Sequence, residues 1–72
     1  MKEKEFLKFV GKRINQLRIE KGLSFQELGL RSELEKSSLV KLCNHGSNIT
    51  LSTLLKISKG LDVEIEEIFK GF

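Results

Sequence analysis

Lys36, Ser37, Ser38 and Lys41 are the residues of this 72-residue chain whose types and spacing best suit recognition. They share a short segment with Leu39 and Leu42, so a helix over residues 36–43 would bury the two leucines and turn two ammonium groups and two hydroxyls outward. A Lys ammonium matches the acceptor pair on a guanine edge, and a Ser hydroxyl pairs with several base groups or with phosphate. Taken alone, Lys36 and Lys41 could equally be solvated charges; the surrounding pattern gives them meaning. The chemistry on offer is hydrogen bonding and charge, not bond making. No Gly-rich phosphate loop, nucleophile–base pair or metal-ligand set is present, so no enzymatic activity, cofactor or metal is expected. His45, the single histidine, has no Cys or carboxylate cluster at ligand spacing and is expected to serve a turn or a phosphate.

The elements that would position these side chains follow from the apolar spacing. Leu23 and Leu28 mark a first amphipathic segment over residues 25–32, preceded by Ser24 with Glu27 three residues on. That is the S-x-x-E capping box, in which the hydroxyl accepts from an orphan N–H and the carboxylate reaches back. Two such helices joined by a short polar turn form a helix-turn-helix, whose second helix can enter the DNA major groove. Upstream, residues 4–21 predict a long helix. At about 100° per residue, Phe6, Leu7, Phe9, Val10, Ile14 and Leu17 share one arc, while Ile19 falls off it. Gly22 is placed to end that helix in a left-handed conformation. The Phe residues lie on the inner stripe and are expected in the core, not as stacking platforms for bases.

Downstream, residues 44–50 form a loop rich in turn formers. Thr50 is expected to cap a fourth helix over 51–59, with Leu51, Leu54, Leu55 and Ile57 as its apolar bulk, and residues 64–69 a short last one. Ile65, Ile68, Phe69 and Phe72 are many hydrophobes for a chain end. Some should close the core against Phe6 and Phe9; exposed ones would mark a partner surface. Helix-turn-helix proteins commonly dimerise to span two half-sites, so a homodimer through Ile65, Ile68, Phe69 and Phe72 is expected.

Composition agrees. Proline, tryptophan and tyrosine are absent, and apolar residues recur at helical spacing, which predicts an all-α chain. Residues 1–72 are long enough for one domain with a thin core. Cys43 is the only cysteine, so no disulfide can form within the chain and a reducing, cytoplasmic setting is expected. The thiol itself reads as a small buried hydrophobe before it reads as a redox sensor. No apolar run approaches the ~18 residues of a membrane span, and the N-terminal residues lack the apolar segment of a secretory signal. Neither a membrane nor a small-molecule ligand is expected as a partner. The net charge is +3, unevenly spread: up to Lys41 there are ten Lys/Arg against six Asp/Glu (+4), and beyond it three against four (−1). The basic part contains the candidate helix-turn-helix, as phosphate binding favours, although charge alone fits a merely solvated helical surface equally well.

Gly22-Leu23-Ser24-Phe25-Gln26-Glu27-Leu28 resembles the opening of the phage repressor/Cro-type (XRE-like) helix-turn-helix family, and Ser32-x-Leu34-x-Lys36-Ser37-Ser38-Leu39 resembles its turn and recognition helix. The likeness extends over residues 10–69, including Val10 to Arg18 as first helix. It implies a compact all-α bundle of about five helices of the lambda-repressor-like DNA-binding type. It also implies a sequence-specific transcriptional regulator of bacterial or phage origin that binds double-stranded DNA. By the same resemblance Lys36, Ser37, Ser38 and Lys41 face bases, and Ser24, the backbone of Phe25, Asn44, Ser47, Asn48 and Arg18 are placed at phosphates.

The chain departs from the family pattern at several positions. Phe25 replaces a frequent Gln, Gly29 an Ala, Glu33 a turn Gly, Cys43 a Glu that pairs with the Arg matching Arg18, and His45 a Gly. Glu33 either takes a positive φ or reshapes the turn. Stand-alone members include phage repressors, restriction-modification controllers and antitoxins, and Ser47-Asn48-Ile49-Thr50 is faintly similar to controllers. The weakened positions Phe25, His45, Gly46 and Ser47 motivate an alternative, an antitoxin-like or adaptor interaction module that keeps the fold with little DNA binding. Its function would be insensitive to Lys36→Ala and Lys41→Ala.

Overall fold

The computed structural model describes residues 2–71. Four α-helices follow one another, α1 (Glu3–Glu20), α2 (Phe25–Ser32), α3 (Lys36–His45) and α4 (Leu51–Leu61), and a 3-10 helix (Ile65–Phe69) closes the chain. The all-α expectation holds, with no strand among the described residues. The fifth element is 3-10 rather than α, since five residues are too few to develop a run of i→i−4 bonds.

Local signals set the boundaries. Gly22, at φ 69°, ends α1: its N–H bonds the Ile19 carbonyl and the Leu23 N–H bonds that of Arg18, the paired pattern of a Schellman cap. Ser24 and Glu27 form the capping box, both hydrogen bonds being 3.0 Å. Glu33 does take the left-handed conformation, φ 58° and ψ 40°, so the turn keeps the shape a glycine would give it. Helix α3 runs two residues beyond the expected end, because Gly46 (φ 74°), not His45, supplies the residue that leaves the helix. Helix α4 likewise passes Gly60 and stops at Asp62 (φ 57°). Its start is capped as expected by the Thr50 hydroxyl, which accepts from Thr53 N–H at 3.1 Å.

The core gathers Val10, Ile14 and Leu17 of α1 with Leu23, Leu28, Leu39, Leu42, Cys43, Leu54, Ile57, Leu61 and Ile68. Phe6 and Phe9 pack at its edge, and the Phe6 ring stacks on Phe69 with centroids 6.0 Å apart. Arg13 fastens the C-terminal segment to α1, its Nε donating to the Glu67 carbonyl at 2.8 Å and its Nη2 lying 3.5 Å from Oε2. Two expectations are corrected here, and a third falls outside the described residues. Ile68 is fully buried in the chain's own core and has no surface left for a partner. Leu51 and Leu55 are 77% and 46% exposed, because they lie on the flank of α4 away from the arc of Leu54, Ile57 and Leu61. Phe72, the last of the expected interface residues, lies outside the described residues.

Candidate nucleic-acid interface

Two close approaches hold α3 in place. At Gly11 of α1 an added Cβ would run into the carbonyl oxygen of Leu42 and come within 3.4 Å of the Cys43 Cα, so α1 rests directly on the α3 backbone. At Gly29 of α2 an added Cβ would lie 2.7 Å from the Leu34 carbonyl oxygen. An alanine there, the usual family residue, would force the turn to shift, which explains the glycine despite its cost of about 1 kcal/mol in helix propensity. The turn between α2 and α3 is thus built tightly, with the Leu34 N–H bonding the Gly29 carbonyl at 2.9 Å.

On this support Lys36, Ser37, Ser38 and Lys41 are all exposed, as the apolar spacing predicts. Among the described residues none of the four has an ion pair or side-chain hydrogen bond. Ser37, Lys41 and Asn44 follow one another at i, i+4 and i+7 and form the outermost stripe of α3. Ser38 sits nearer the following loop, where it borders a small cleft of about 90 Å³ with Ser47, Asn48, Ile49 and Thr53. Asn44 and Asn48 are exposed and Ser47 half-buried, so the loop stands beside the end of α3. Gly46, whose own Cβ position would be 3.0 Å from the Lys8 nitrogen, packs that loop onto α1.

The first turn of α2 lies at the other side. Ser24 spends its oxygen lone pair on the Glu27 N–H and keeps its own proton to donate. The N–H groups of Phe25 and Gln26, at the start of the helix, have no partner within it. Glu27, fully engaged with the Ser24 backbone N–H, has its carboxyl held below the usual range. Arg18 departs from the expected phosphate role. Its Nη1 donates to the Leu23 carbonyl, its Nε and Nη2 donate to Asn15 Oδ1 at 3.2 and 2.9 Å, and its guanidinium carbon lies 4.0 Å over the Phe25 ring. It therefore braces the entry to α2, and Phe25 gives it a cation–π partner in place of the missing glutamate.

Cys43 is buried at the α1–α3 contact, where burial pushes its thiol up to about 11 while the nearby Arg18 pulls the other way. A thiol so placed stays protonated and unreactive at neutral pH. His45 is exposed at the end of α3, and no group of three possible metal ligands occurs among the described residues. No described helix is long and apolar enough to cross a membrane. Apolar spacing does not single out Val40, half-buried on the accessible side of α3, and it counts Leu51 and Leu55 as apolar bulk of α4 although both are exposed. A wheel of α3, drawn separately, contains the signal for Val40.

The comparisons agree with this geometry. A family model described as the Cro/C1-type HTH DNA-binding domain matches residues 13–70. The restriction-modification controller protein C.AhdI from Aeromonas hydrophila superposes with a TM-score of 0.86 at 34% identity, over 90% of this chain and 98% of that one. The controller C.Esp1396I gives 0.82 at 30% identity, over 89% and 83%. C.Esp1396I bound to a 19 base pair DNA duplex gives 0.82 at 30%, over 89% and 85%. No curated protein matches the sequence.

Proposed function

This chain belongs to the Cro/C1-type helix-turn-helix DNA-binding family and is a sequence-specific DNA-binding regulator, and from that premise we propose that it is a cytoplasmic restriction-modification controller acting as a homodimer. The observation that carries the reading is the unpartnered polar face of α3, held by glycine contacts to α1 and α2 on either side. In this reading Lys36, Ser37, Ser38 and Lys41 meet base edges. Ser24, the Phe25 N–H, Asn44, Ser47 and Asn48 meet phosphates, the backbone donors of α2 being helped by the positive end of its dipole. The likeness to controllers over nine-tenths of the chain supports the role.

Size supports the homodimer. One copy measures 32 × 22 × 21 Å, and half-sites one helical turn apart are separated by about 34–36 Å, so two recognition helices are needed to read both. With Ile68 buried, the second copy is placed against Leu51 and Leu55 of α4 together with Val63 and Ile65, the last three lining one open cleft. Leu55→Glu should leave a folded monomer in light scattering. A concentration-independent monomer mass for the unmodified protein up to high micromolar would sink the homodimer.

The function is tested by fluorescence anisotropy on the DNA upstream of the chain's own coding sequence against a scrambled duplex, at several salt concentrations. Preference for the native duplex with a salt slope of several phosphates is expected. Lys36→Ala and Lys41→Ala should each weaken specific binding by about 1–3 kcal/mol. No binding to either duplex at low salt would favour the interaction module instead.

A further inference from the structure

Resting on the reading that α3 enters the major groove, we propose that Val40 is a specificity-determining residue that reads the C5-methyl group of a thymine. Helix α3 contains four apolar or thiol side chains besides its polar ones, and three of them, Leu39, Leu42 and Cys43, are buried in the core. Val40 is the fourth, and it is only half-buried. Its neighbours on the helix surface are Lys36 at i−4, Ser37 at i−3 and Asn44 at i+4, all exposed. A small apolar spot therefore sits inside the polar patch that faces DNA.

Its chemistry limits what it can recognise. Valine has no donor or acceptor for a phosphate or a base edge, and the thymine methyl is the one apolar group that base pairs present in the major groove. In a helix the branched side chain keeps one strongly preferred χ1 rotamer, so its two methyls occupy a fixed position. Lys36 and Lys41 carry flexible stems and discriminate less sharply. Val40 supplies the rigid element of the readout.

The test replaces each thymine of the preferred duplex in turn by deoxyuridine, which removes only the methyl. Anisotropy is then measured with the unmodified protein and with Val40→Ala, whose fold is checked by thermal melting. One thymine per half-site should respond, deoxyuridine there weakening the unmodified protein about fourfold, the factor carried by one buried methyl group. Val40→Ala should bind the thymine and deoxyuridine duplexes equally. An equal loss in both proteins, or no responsive thymine in a duplex that is still preferred over scrambled DNA, would overturn the assignment to Val40 alone. Loss of all preference for native DNA in the unmodified protein would overturn the major-groove reading and this inference with it.

Discussion

Helix α1 meets α3 at Gly11, and α4 meets α2 at Gly60, yet what stands across from each glycine differs. At Gly11 the obstacle to a side chain is the backbone carbonyl of Leu42. At Gly60 it is the Ser32 hydroxyl, with the Leu28 Cδ1 at 3.2 Å from the Cβ position. A peptide group inside a helix cannot rotate away, whereas a hydroxyl sits at the end of a side chain that can be changed. The first contact thus fixes where the recognition helix lies, while the second is adjustable packing behind it. Close packing makes both sensitive, but only the first couples directly to function.

The largest expected effect is therefore at Gly11. Gly11→Ala must push α1 off α3, at a cost of about 3 kcal/mol or more, a large part of the stability of so small a domain. In a chain of this size that lowers Tm by at least about 12 °C. The variant that remains folded should bind native DNA more weakly than its stability loss explains, since Lys36 and Lys41 move with α3. A melting temperature within two or three degrees of the parent would show that the contact is not rigid.

Gly60→Ala should cost less, about 1–3 kcal/mol, and should be rescued in part by Ser32→Ala, which removes the colliding oxygen. A double-mutant cycle is expected to show more than about 1 kcal/mol of favourable coupling. Additive losses would mean that Leu28, not Ser32, is the obstacle. The Ser32 Oγ is buried without a hydrogen-bond partner among the described residues. Ser32→Ala alone should therefore be neutral or mildly stabilising, although the hydroxyl is deleted.

A pH titration separates the two contacts again, because the one buried titratable side chain among the described residues, the Cys43 thiol, lies at the α1–α3 contact. Cys43 has its folded value raised to about 11 from 9.0 by burial. Above pH 9 the unfolded chain loses the thiol proton while the folded chain keeps it, so stability falls as pH rises from about 9 to 11. The loss is at most about 2–3 kcal/mol at roughly 1.4 kcal/mol per unit. Urea unfolding at pH 7.5 and 10.5 should show this fall, reduced in Cys43→Ala. An equal fall in both proteins would show that the Cys43 thiol is not its source.

These contrasts also explain what was legible beforehand. The capping box at Ser24 and Glu27, the stop at Gly22 and the whole span of α2 rest on interactions within four residues, and spacing alone reveals them. The outward face of α3 was legible for the same reason. The roles of Gly11 and Gly60 depend on partners 31 and 28 residues away in the chain, at Leu42 and Ser32. No local pattern distinguishes them from an ordinary helix-interior glycine. Spacing alone does not say which of the four hydrophobes at the chain end turns inward, and the Arg13–Glu67 clamp that holds Ile68 against the core links residues 54 apart. Leu51 and Leu55 add to the apolar content of α4, but which arc of that helix meets α2 is decided by packing between elements and not by the sequence of α4 itself.

The smallest effects belong to the two non-glycine residues with positive φ, one beside each end of the α2–α4 packing. Glu33 ends α2 at φ 58° and Asp62 ends α4 at φ 57°. An L-residue in this region costs roughly 1–2 kcal/mol, but the short polar side chain of Asp tolerates it better than that of Glu. Glycine removes the strain and gives back part of the gain through a freer unfolded chain. Glu33→Gly should therefore stabilise by up to about 1 kcal/mol, and Asp62→Gly by less or not at all. If Asp62→Gly proved the more stabilising, the strain would lie at the α4 exit, and the turn between α2 and α3 would be relaxed as it stands. If Glu33→Gly stabilised without changing DNA affinity, the left-handed turn would be set by the Gly29 and Leu34 contact rather than by the residue that occupies it.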